Sequence, residues 1–171
     1  DKDRYFQQHP YLDYYVVNQG ETGFLNIIDR FVAGTLPHQT SDTPVIDNVA
    51  YYDAKQKTTV MGNISQRYKD LDQIPSPYLE GVLDEFFHIE GLIPIIETMR
   101  GCPFSCTFCA WGDDWLRKSN KYSTDRIKSE LNYIAEHVKH TSYLYIADSN
   151  FGMLKRDIDI AETIKSIYSR T

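Results

Sequence analysis

Several features are scarce in this sequence of 171 residues, and each absence excludes a class of protein. No apolar run approaches the roughly 20 residues that a membrane-spanning helix needs. The longest aliphatic stretches are Leu92-Ile93 and Ile95-Ile96, on either side of Pro94. The chain has no block of Lys and Arg, and its net charge is −6. The sequence therefore predicts neither a general nucleic-acid surface nor an anionic-membrane surface.

The chain also lacks an initiator Met, since it begins Asp1-Lys2-Asp3-Arg4, and it has no signal-peptide pattern. We therefore expect a piece of a longer protein, and nothing in the sequence predicts secretion. Hydrophobic residues make up 42% and charged residues 25% of the chain, which is typical of folded domains with a packed core. The length suits one domain or parts of two.

Cysteine is scarce as well, because the chain has only three, all within residues 102–109. An odd and tightly clustered set is a poor disulfide framework. It is a good metal or redox site in a reducing compartment, so we expect a cytoplasmic protein.

Residues 1–34 are interpreted as a strand followed by a helix. The strand is expected at residues 14–17, and its partner strands are expected outside this sequence. Apolar residues then repeat with helical spacing at Phe24, Ile27, Ile28, Phe31 and Val32. Gly34 is a suitable C-terminal stop.

The middle of the chain, residues 35–90, is predicted to be a linker that contains a β-hairpin. Residues 48–52 and 58–61 are β-prone and flank a polar turn. Residues 71–77 contain two prolines and are interpreted as an ordered linker, so we place a domain boundary near them.

Residues 91–171 show a strand–loop–helix pattern. We expect strands at residues 93–98 and 143–147, a helix over 124–140 with Ser123 as its N-cap, and a last helix that starts near Asp157. The apolar stripes of the two helices are Ile127, Leu131, Ile134 and Val138, and Ile160, Ile164 and Ile167. This β-α-β-α order predicts an α/β fold with a parallel sheet. Two such units cannot close a (β/α)₈ barrel, which needs about 200 residues or more.

The three cysteines have the spacing Cys-x3-Cys-x2-Cys, directly after the first of these strands. Three thiolates on one short loop, Cys102, Cys106 and Cys109, suit either zinc or an iron–sulfur cluster. A four-iron cluster usually has four cysteine ligands, so three would leave one iron open to an external chelator. Structural zinc would need a fourth ligand, for which His88 is nearest in sequence. A redox pair of Cys106 and Cys109 is the third reading, and it leaves Cys102 unused.

This loop resembles that of the radical S-adenosylmethionine (SAM) superfamily in its cysteine spacing and in the aromatic Phe108 before the last cysteine. Three further segments are similar to those of the subgroup in which the radical domain follows a cobalamin-binding Rossmann-like domain. These segments are residues 100–104, Gly20-Glu21 and residues 71–75. The resemblance extends from about residue 9 to residue 152. It implies that residues 1–34 end such a domain and that residues 91–171 begin a partial (β/α) barrel.

The resemblance also implies a function. Cys102, Cys106 and Cys109 would ligate a 4Fe–4S cluster, and SAM would chelate the remaining iron. One-electron reduction, supplied by a donor such as flavodoxin or ferredoxin, would cleave SAM to a 5′-deoxyadenosyl radical. In the cobalamin subgroup this chemistry often serves methyl transfer to a small-molecule or peptide substrate. The protein positions the cofactors and excludes water.

Further site residues are predicted at the end of the second strand. Parallel α/β folds carry ligands at the carboxyl ends of their strands, and the superfamily holds the amino group of SAM there. Asp148 and Asn150 are the candidates, although the usual Gly-Gly-Glu form is absent and a helix cap is an equal reading. Phe108 is a candidate for shielding the cluster and adenine, with simple packing as its alternative. No catalytic residue is assigned.

Other polar residues have simpler readings. Asp113 and Asp114, after Trp111-Gly112, suit a solvated turn. Three cations, Arg117, Lys118 and Lys121, are candidates for meeting an anionic substrate group, but they suit a solvated loop face better. The Asp-x-His-x-x-Gly motif that ligates cobalamin in the subgroup is missing, so cobalamin is expected only in a longer chain. The rival hypothesis is a zinc- or cluster-stabilised binding module without catalytic activity.

Overall fold

The computed structural model describes residues 1–38, 43–109 and 118–170. It divides into two compact units, Asp1–Arg67 and Tyr68–Thr171. The division therefore falls a few residues before the proline-containing segment near which we expected it. Leu71 explains this shift, because its side chain is fully buried in the core of the second unit. The assignment of residues 1–34 to a cobalamin-type domain stays a prediction.

The first unit contains two helices and three strands: α1 (Lys2–Gln8), β1 (Tyr15–Val16), α2 (Gly20–Val32), β2 (Val49–Asp53) and β3 (Thr58–Met61). The expected hairpin is confirmed, with β2 and β3 antiparallel and Asp53 opposite Thr58. Its turn is tied by Asp53, whose Oδ1 accepts hydrogen bonds from the backbone N–H groups of Lys55 (2.8 Å) and Gln56 (3.1 Å).

Two features of this unit differ from expectation. Strand β1 pairs antiparallel with β2, so the chain itself supplies one of its partners. The expectation that the partner strands of β1 lie outside the sequence is therefore wrong for β2. Helix α1 was not expected, because seven residues are too few for a clear apolar period. Its N-cap is Asp1, whose carboxylate accepts from the N–H groups of Asp3 and Arg4.

Helix α2 ends where the sequence predicts. Gly34 has a φ of +68°, and its N–H donates to the Phe31 carbonyl while the Thr35 N–H donates to that of Arg30. These two bonds form the Schellman motif, which favours glycine at this position. Much of the apolar stripe of α2 faces solvent in the described part of the unit, with Phe24, Phe31 and Val32 all more than half exposed.

The second unit contains β4 (Ile95–Ile96), β5 (Met99–Arg100), β6 (Asn120–Lys121), α3 (Thr124–His137), β7 (Tyr145–Ile146) and α4 (Lys155–Tyr168). Strands β4 and β7 are parallel neighbours, and α3 lies between them in sequence, so the α/β class and the β-α-β-α order are confirmed. The antiparallel pair β5–β6 was not expected. It shortens the first strand, because the chain leaves β7 and pairs with β6 from Met99 onwards.

The core of this unit lies between the sheet, the two helices and the segment before β4. Its buried members are Leu71, Tyr78, Phe87, Ile96, Tyr122, Ile127, Leu131, Ile134 and Ile160. Ile127, Leu131 and Ile134 of the expected stripe are therefore buried as predicted, whereas α3 ends at His137 rather than at residue 140, and Val138 is half-buried just after it. Ser123 is the N-cap of α3 as predicted, accepting at Oγ from the Arg126 N–H (3.1 Å). No helix in the described ranges is long and apolar enough to cross a membrane.

One buried charge pair ties α3 to the proline-containing segment. Glu130 Oε1 accepts from Ser76 Oγ and from Arg126 Nε, each at 2.6 Å. Arg126 also donates to the carbonyl oxygen of Ile74 (3.1 Å). The segment that we interpreted as a linker thus belongs to the packed body of the second unit.

Candidate functional site

The parallel pair β4–β7 creates the edge at which the candidate site lies. The Tyr145 N–H donates to the Pro94 carbonyl (2.9 Å) and the Ala147 N–H donates to that of Ile96 (2.8 Å). Since parallel strands end at the same edge, the cysteine loop and the residues after Ala147 begin side by side, as the sequence predicts.

The side chain of Tyr78 is hydrogen-bonded to the backbone of β4 near this edge. The hydroxyl of Tyr78 donates to the Ile95 carbonyl (2.7 Å) and accepts from the Ile95 N–H (3.1 Å). These bonds satisfy the side of β4 that faces away from β7. Burial is the main cause that raises the pKa of Tyr78, so the hydroxyl stays protonated and keeps its donor role at neutral pH.

The carboxylate of Asp148, just after β7, reaches across to the end of β4. Its Oδ1 accepts from the N–H groups of Thr98 (2.7 Å) and Met99 (3.2 Å), and its Oδ2 accepts a short hydrogen bond from the Thr98 hydroxyl. Asp148 and the base of the cysteine loop therefore lie at the same end of the sheet. A carboxylate has about four acceptor positions, so one remains on Oδ2.

The carbonyl of Thr98 is bonded by a different residue, Arg156, in the first turn of α4. Nη2 of Arg156 donates to the Thr98 carbonyl (2.6 Å), and Nη1 donates a short hydrogen bond to the carbonyl of Tyr122. The Tyr122 N–H also donates to the Thr98 carbonyl (3.1 Å). Thr98 is fully buried, and these bonds satisfy each of its polar groups.

The chain then enters the cysteine loop through Gly101. This residue is buried and has a φ of +98°, a conformation that side-chain-bearing residues rarely adopt. Cys102 follows and is buried at 8% exposure, because the preceding β5 anchors it beside β6. The start of the loop is thus fixed by backbone geometry as well as by hydrogen bonds.

The three cysteines differ in exposure. Cys102 is buried, Cys109 is half-buried, Cys106 is exposed, and all three are free thiols. The Cys109 N–H donates to the Cys106 carbonyl (3.1 Å), so the last two cysteines share a turn. Among residues 1–38, 43–109 and 118–170, no three His, Cys, Asp or Glu side chains are gathered as a metal-binding group. The donor set still fits an iron–sulfur cluster chemically, because three free thiols occupy one eight-residue loop.

The other predicted site residues have distinct environments. Phe108 is 91% exposed, which is not the simple packing that was its alternative reading. The amide Nδ2 of Asn150 is buried and has no hydrogen-bond acceptor in the described part of the chain. His88, the candidate fourth ligand for zinc, is exposed, and it joins no metal-binding group within those ranges.

The candidate cations Lys118 and Lys121 are exposed, in line with a solvated face. Trp111, Gly112, Asp113, Asp114 and Arg117 lie outside the described residues. Sequence reasoning missed Thr98 and Arg156, which hold the loop base. The position of Thr98 at the end of the expected strand, four residues before the first cysteine, was the only available signal, since both partners are distant in sequence.

No family model matches the chain. Individual relatives do match. It is 33% identical over 166 residues to the cobalamin-dependent radical SAM methyltransferase TokK of Streptomyces tokunonensis, covering 94% of this chain and 23% of TokK. It is 31% identical over 173 residues to the 2-(S-pantetheinyl)-carbapenam-3-carboxylate methyltransferase of Streptantibioticus cattleyicolor, covering 98% of this chain and 24% of that enzyme.

A solved structure has the same fold. The cobalamin-dependent S-adenosylmethionine radical enzyme OxsB, with aqua-cobalamin and S-adenosylmethionine bound, matches with a TM-score of 0.63 at 20% identity. The match covers 100% of this chain and 23% of OxsB. This chain spans about a quarter of the length of the relatives it matches. In its cysteine motif, its sequence relatives and its fold, the chain matches part of the enzymes that form the cobalamin-dependent subgroup of the radical S-adenosylmethionine superfamily.

Proposed function

We propose that this chain is the cluster-binding part of a radical SAM enzyme whose whole protein performs cobalamin-dependent methyl transfer. The observation that carries the proposal is the Cys-x3-Cys-x2-Cys loop of three free thiols at the carboxyl edge of a parallel strand pair. Similarity over nearly the whole chain to two methyltransferases supports it.

Cys102, Cys106 and Cys109 would hold a 4Fe–4S cluster through their thiolates. When bound, this cluster supplies the single electron that cleaves the sulfonium of SAM to a 5′-deoxyadenosyl radical. Three protein ligands leave room for SAM at the fourth iron. Exclusion of water from the site is a task for apolar groups, and the exposed ring of Phe108 beside Cys109 is suited to cover the cluster and adenine.

SAM presents an ammonium and a carboxylate, and the strand-end residues offer partners for both. The last acceptor position of Asp148, on Oδ2, can receive the ammonium group. The buried Nδ2 of Asn150 needs an acceptor, because an unsatisfied buried donor is costly, and the SAM carboxylate would provide one. This adds a donor role for Asn150 to the acceptor role expected from the sequence.

Other parts of the proposal concern the whole protein. Residues 1–34 would end a cobalamin-binding domain and residues 91–171 would begin the barrel. Residues 35–90, which pack into the two units described above, would join the two domains. The electron donor would be a flavodoxin or ferredoxin in the cytoplasm. The substrate, a small molecule or a peptide, would be selected by loops at later strand ends, because such loops carry specificity.

The cysteines provide the direct test in the full-length protein. After anaerobic reconstitution, the wild-type protein should contain about four irons with sulfide per chain. Single Cys→Ala variants at positions 102, 106 and 109 should each lose the oxygen-sensitive brown cluster, because the thiolates act as one ligand set. His88→Ala is the matched control and should keep the iron content. Stoichiometric zinc without sulfide would instead support a non-catalytic binding module. Full cluster loading in all three cysteine variants would refute the proposed ligand set.

A further inference from the structure

The position of Thr98 at the end of β4 is unusual for its polarity. It is fully buried, whereas the buried residues around it, Pro94, Ile96 and Met99, are apolar. Burying a hydroxyl is unfavourable unless it is hydrogen-bonded, and valine has the same shape without that cost. The site therefore uses the hydroxyl itself, which donates to the carboxylate of Asp148.

Thr98 also stands where the chain changes its strand partner. Before it, β4 pairs with β7 in parallel, and after it, β5 pairs with β6 in antiparallel fashion. At this junction the Thr98 carbonyl accepts one bond from the neighbouring segment, from the Tyr122 N–H (3.1 Å). The carboxylate of Asp148 accepts from the N–H groups of Thr98 and Met99, and the guanidinium of Arg156 donates to the Thr98 carbonyl. The two partners are an anion and a cation, so these bonds are charge-assisted and stronger than neutral ones.

We propose that Thr98, which is hydrogen-bonded to both Asp148 and Arg156, is a positioning residue that fixes the backbone conformation from Met99 to Cys102. The three residues are called the Thr98 clamp below. Only three residues separate Thr98 from Cys102, and Gly101 fixes the turn between them. The clamp therefore determines where the first cysteine thiol lies relative to the strand end that carries Asp148 and Asn150. This inference rests on the proposed function for its link to the cluster, whereas the clamp itself does not.

Hydrogen exchange in the full-length protein tests the clamp without any cofactor. Thr98→Val keeps the shape and removes the hydroxyl, while Thr98→Ser keeps the hydroxyl. Loss of one charge-assisted bond should speed exchange of the Met99 amide about 10- to 150-fold in Thr98→Val. Thr98→Ser should stay close to wild type. Thr163→Val is the matched control, because its hydroxyl bonds only to the Asp159 carbonyl within α4.

A second readout connects the clamp to the cluster. In reconstituted protein, Thr98→Val should shift the reduction potential of the cluster and alter its electron paramagnetic resonance spectrum with SAM present. Thr98→Ser should restore both wild-type values, since it returns the donor to Asp148. A residue that acted only in stability would lower the yield of folded protein and leave the potential and spectrum unchanged.

Failures of the two ideas are distinguishable. A wild-type protein that takes up no cluster refutes the proposed function, and the exchange experiment still decides the clamp. Unchanged exchange in Thr98→Val, or equal effects of Val and Ser, overturns the clamp. If Thr98→Val does not fold, Arg156→Met removes the other partner and should speed exchange of the Tyr122 amide, which donates to the Thr98 carbonyl. Unchanged Tyr122 exchange in that variant would likewise overturn the clamp.

Discussion

Removal of the Glu130 carboxylate should loosen the attachment of the proline-containing segment to α3. Glu130 is 7% exposed, and its Oε1 accepts from Ser76 and Arg126 at 2.6 Å. In Glu130→Ala, the Arg126 side chain, which is 13% exposed, stays largely shielded from water without its counter-charge. Breaking a buried ion pair from one side typically costs about 3–5 kcal/mol. The lower end applies here, because Arg126 keeps its bond to the Ile74 carbonyl (3.1 Å).

Native-state hydrogen exchange of the full-length protein is the suitable assay, since it reports local opening without assuming two-state unfolding. A loss of about 3 kcal/mol corresponds to exchange about 150-fold faster at the α3 amides. Glu136→Ala is the control on the same helix, because Glu136 is exposed, and it should change exchange by less than about 3-fold.

The double variant Arg126→Leu with Glu130→Leu sharpens the test. Replacing both buried charges by apolar side chains is often neutral or stabilising, so the double variant should recover most of the loss. If Glu130→Ala leaves the α3 exchange unchanged, the pair does not hold the segment. If the α3 amides exchange as fast in the double variant as in Glu130→Ala, lost packing rather than lost charge pairing explains the lower stability.

Two further outcomes follow from the same region. Because burial raises the folded-state pKa of Tyr78, its stabilising contribution is complete below the unfolded value of about 10 and is lost as pH rises through the folded pKa. Unfolding free energy measured from pH 8 to 11 should therefore fall less steeply in Tyr78→Phe than in wild type, and parallel curves would contradict this. Gly101→Ala should cost about 1–3 kcal/mol, because alanine is strained at a φ of +98°. Faster exchange at the Cys102 amide would measure that strain, Gly20→Ala in α2 being the unstrained control, and an unchanged rate would contradict it.

Local patterns in the sequence were sufficient for much of the fold. The helical stripe of α3 and its Ser123 cap, the hairpin of β2 and β3, and the Gly34 stop of α2 each depend on residues within one turn or one ladder. The alternation of strand and helix also predicted that β4 and β7 are parallel neighbours. The cysteine spacing indicated the superfamily for the same reason, since a ligand loop is local in sequence.

The site needed contacts that no local pattern contains. Thr98 meets Asp148 across 50 positions and Arg156 across 58. The pairing of β5 with β6 joins strands of two residues each, too short to show a period of two. The boundary between the units lies before Leu71, because the Leu71 side chain is buried in the core of the second unit. The sequence could not predict this, since a single buried side chain carries no periodic signal.

The sequence by itself indicated the family, the three thiols and the order of β4, α3, β7 and α4, because each depends on the spacing of neighbouring residues. Only the tertiary structure decided what holds Cys102 in place. Hydrogen bonds between Asp148, Thr98 and Arg156 exist only once β4, β7 and α4 have packed together. A buried hydroxyl acquires its role from the charged groups that folding brings to it.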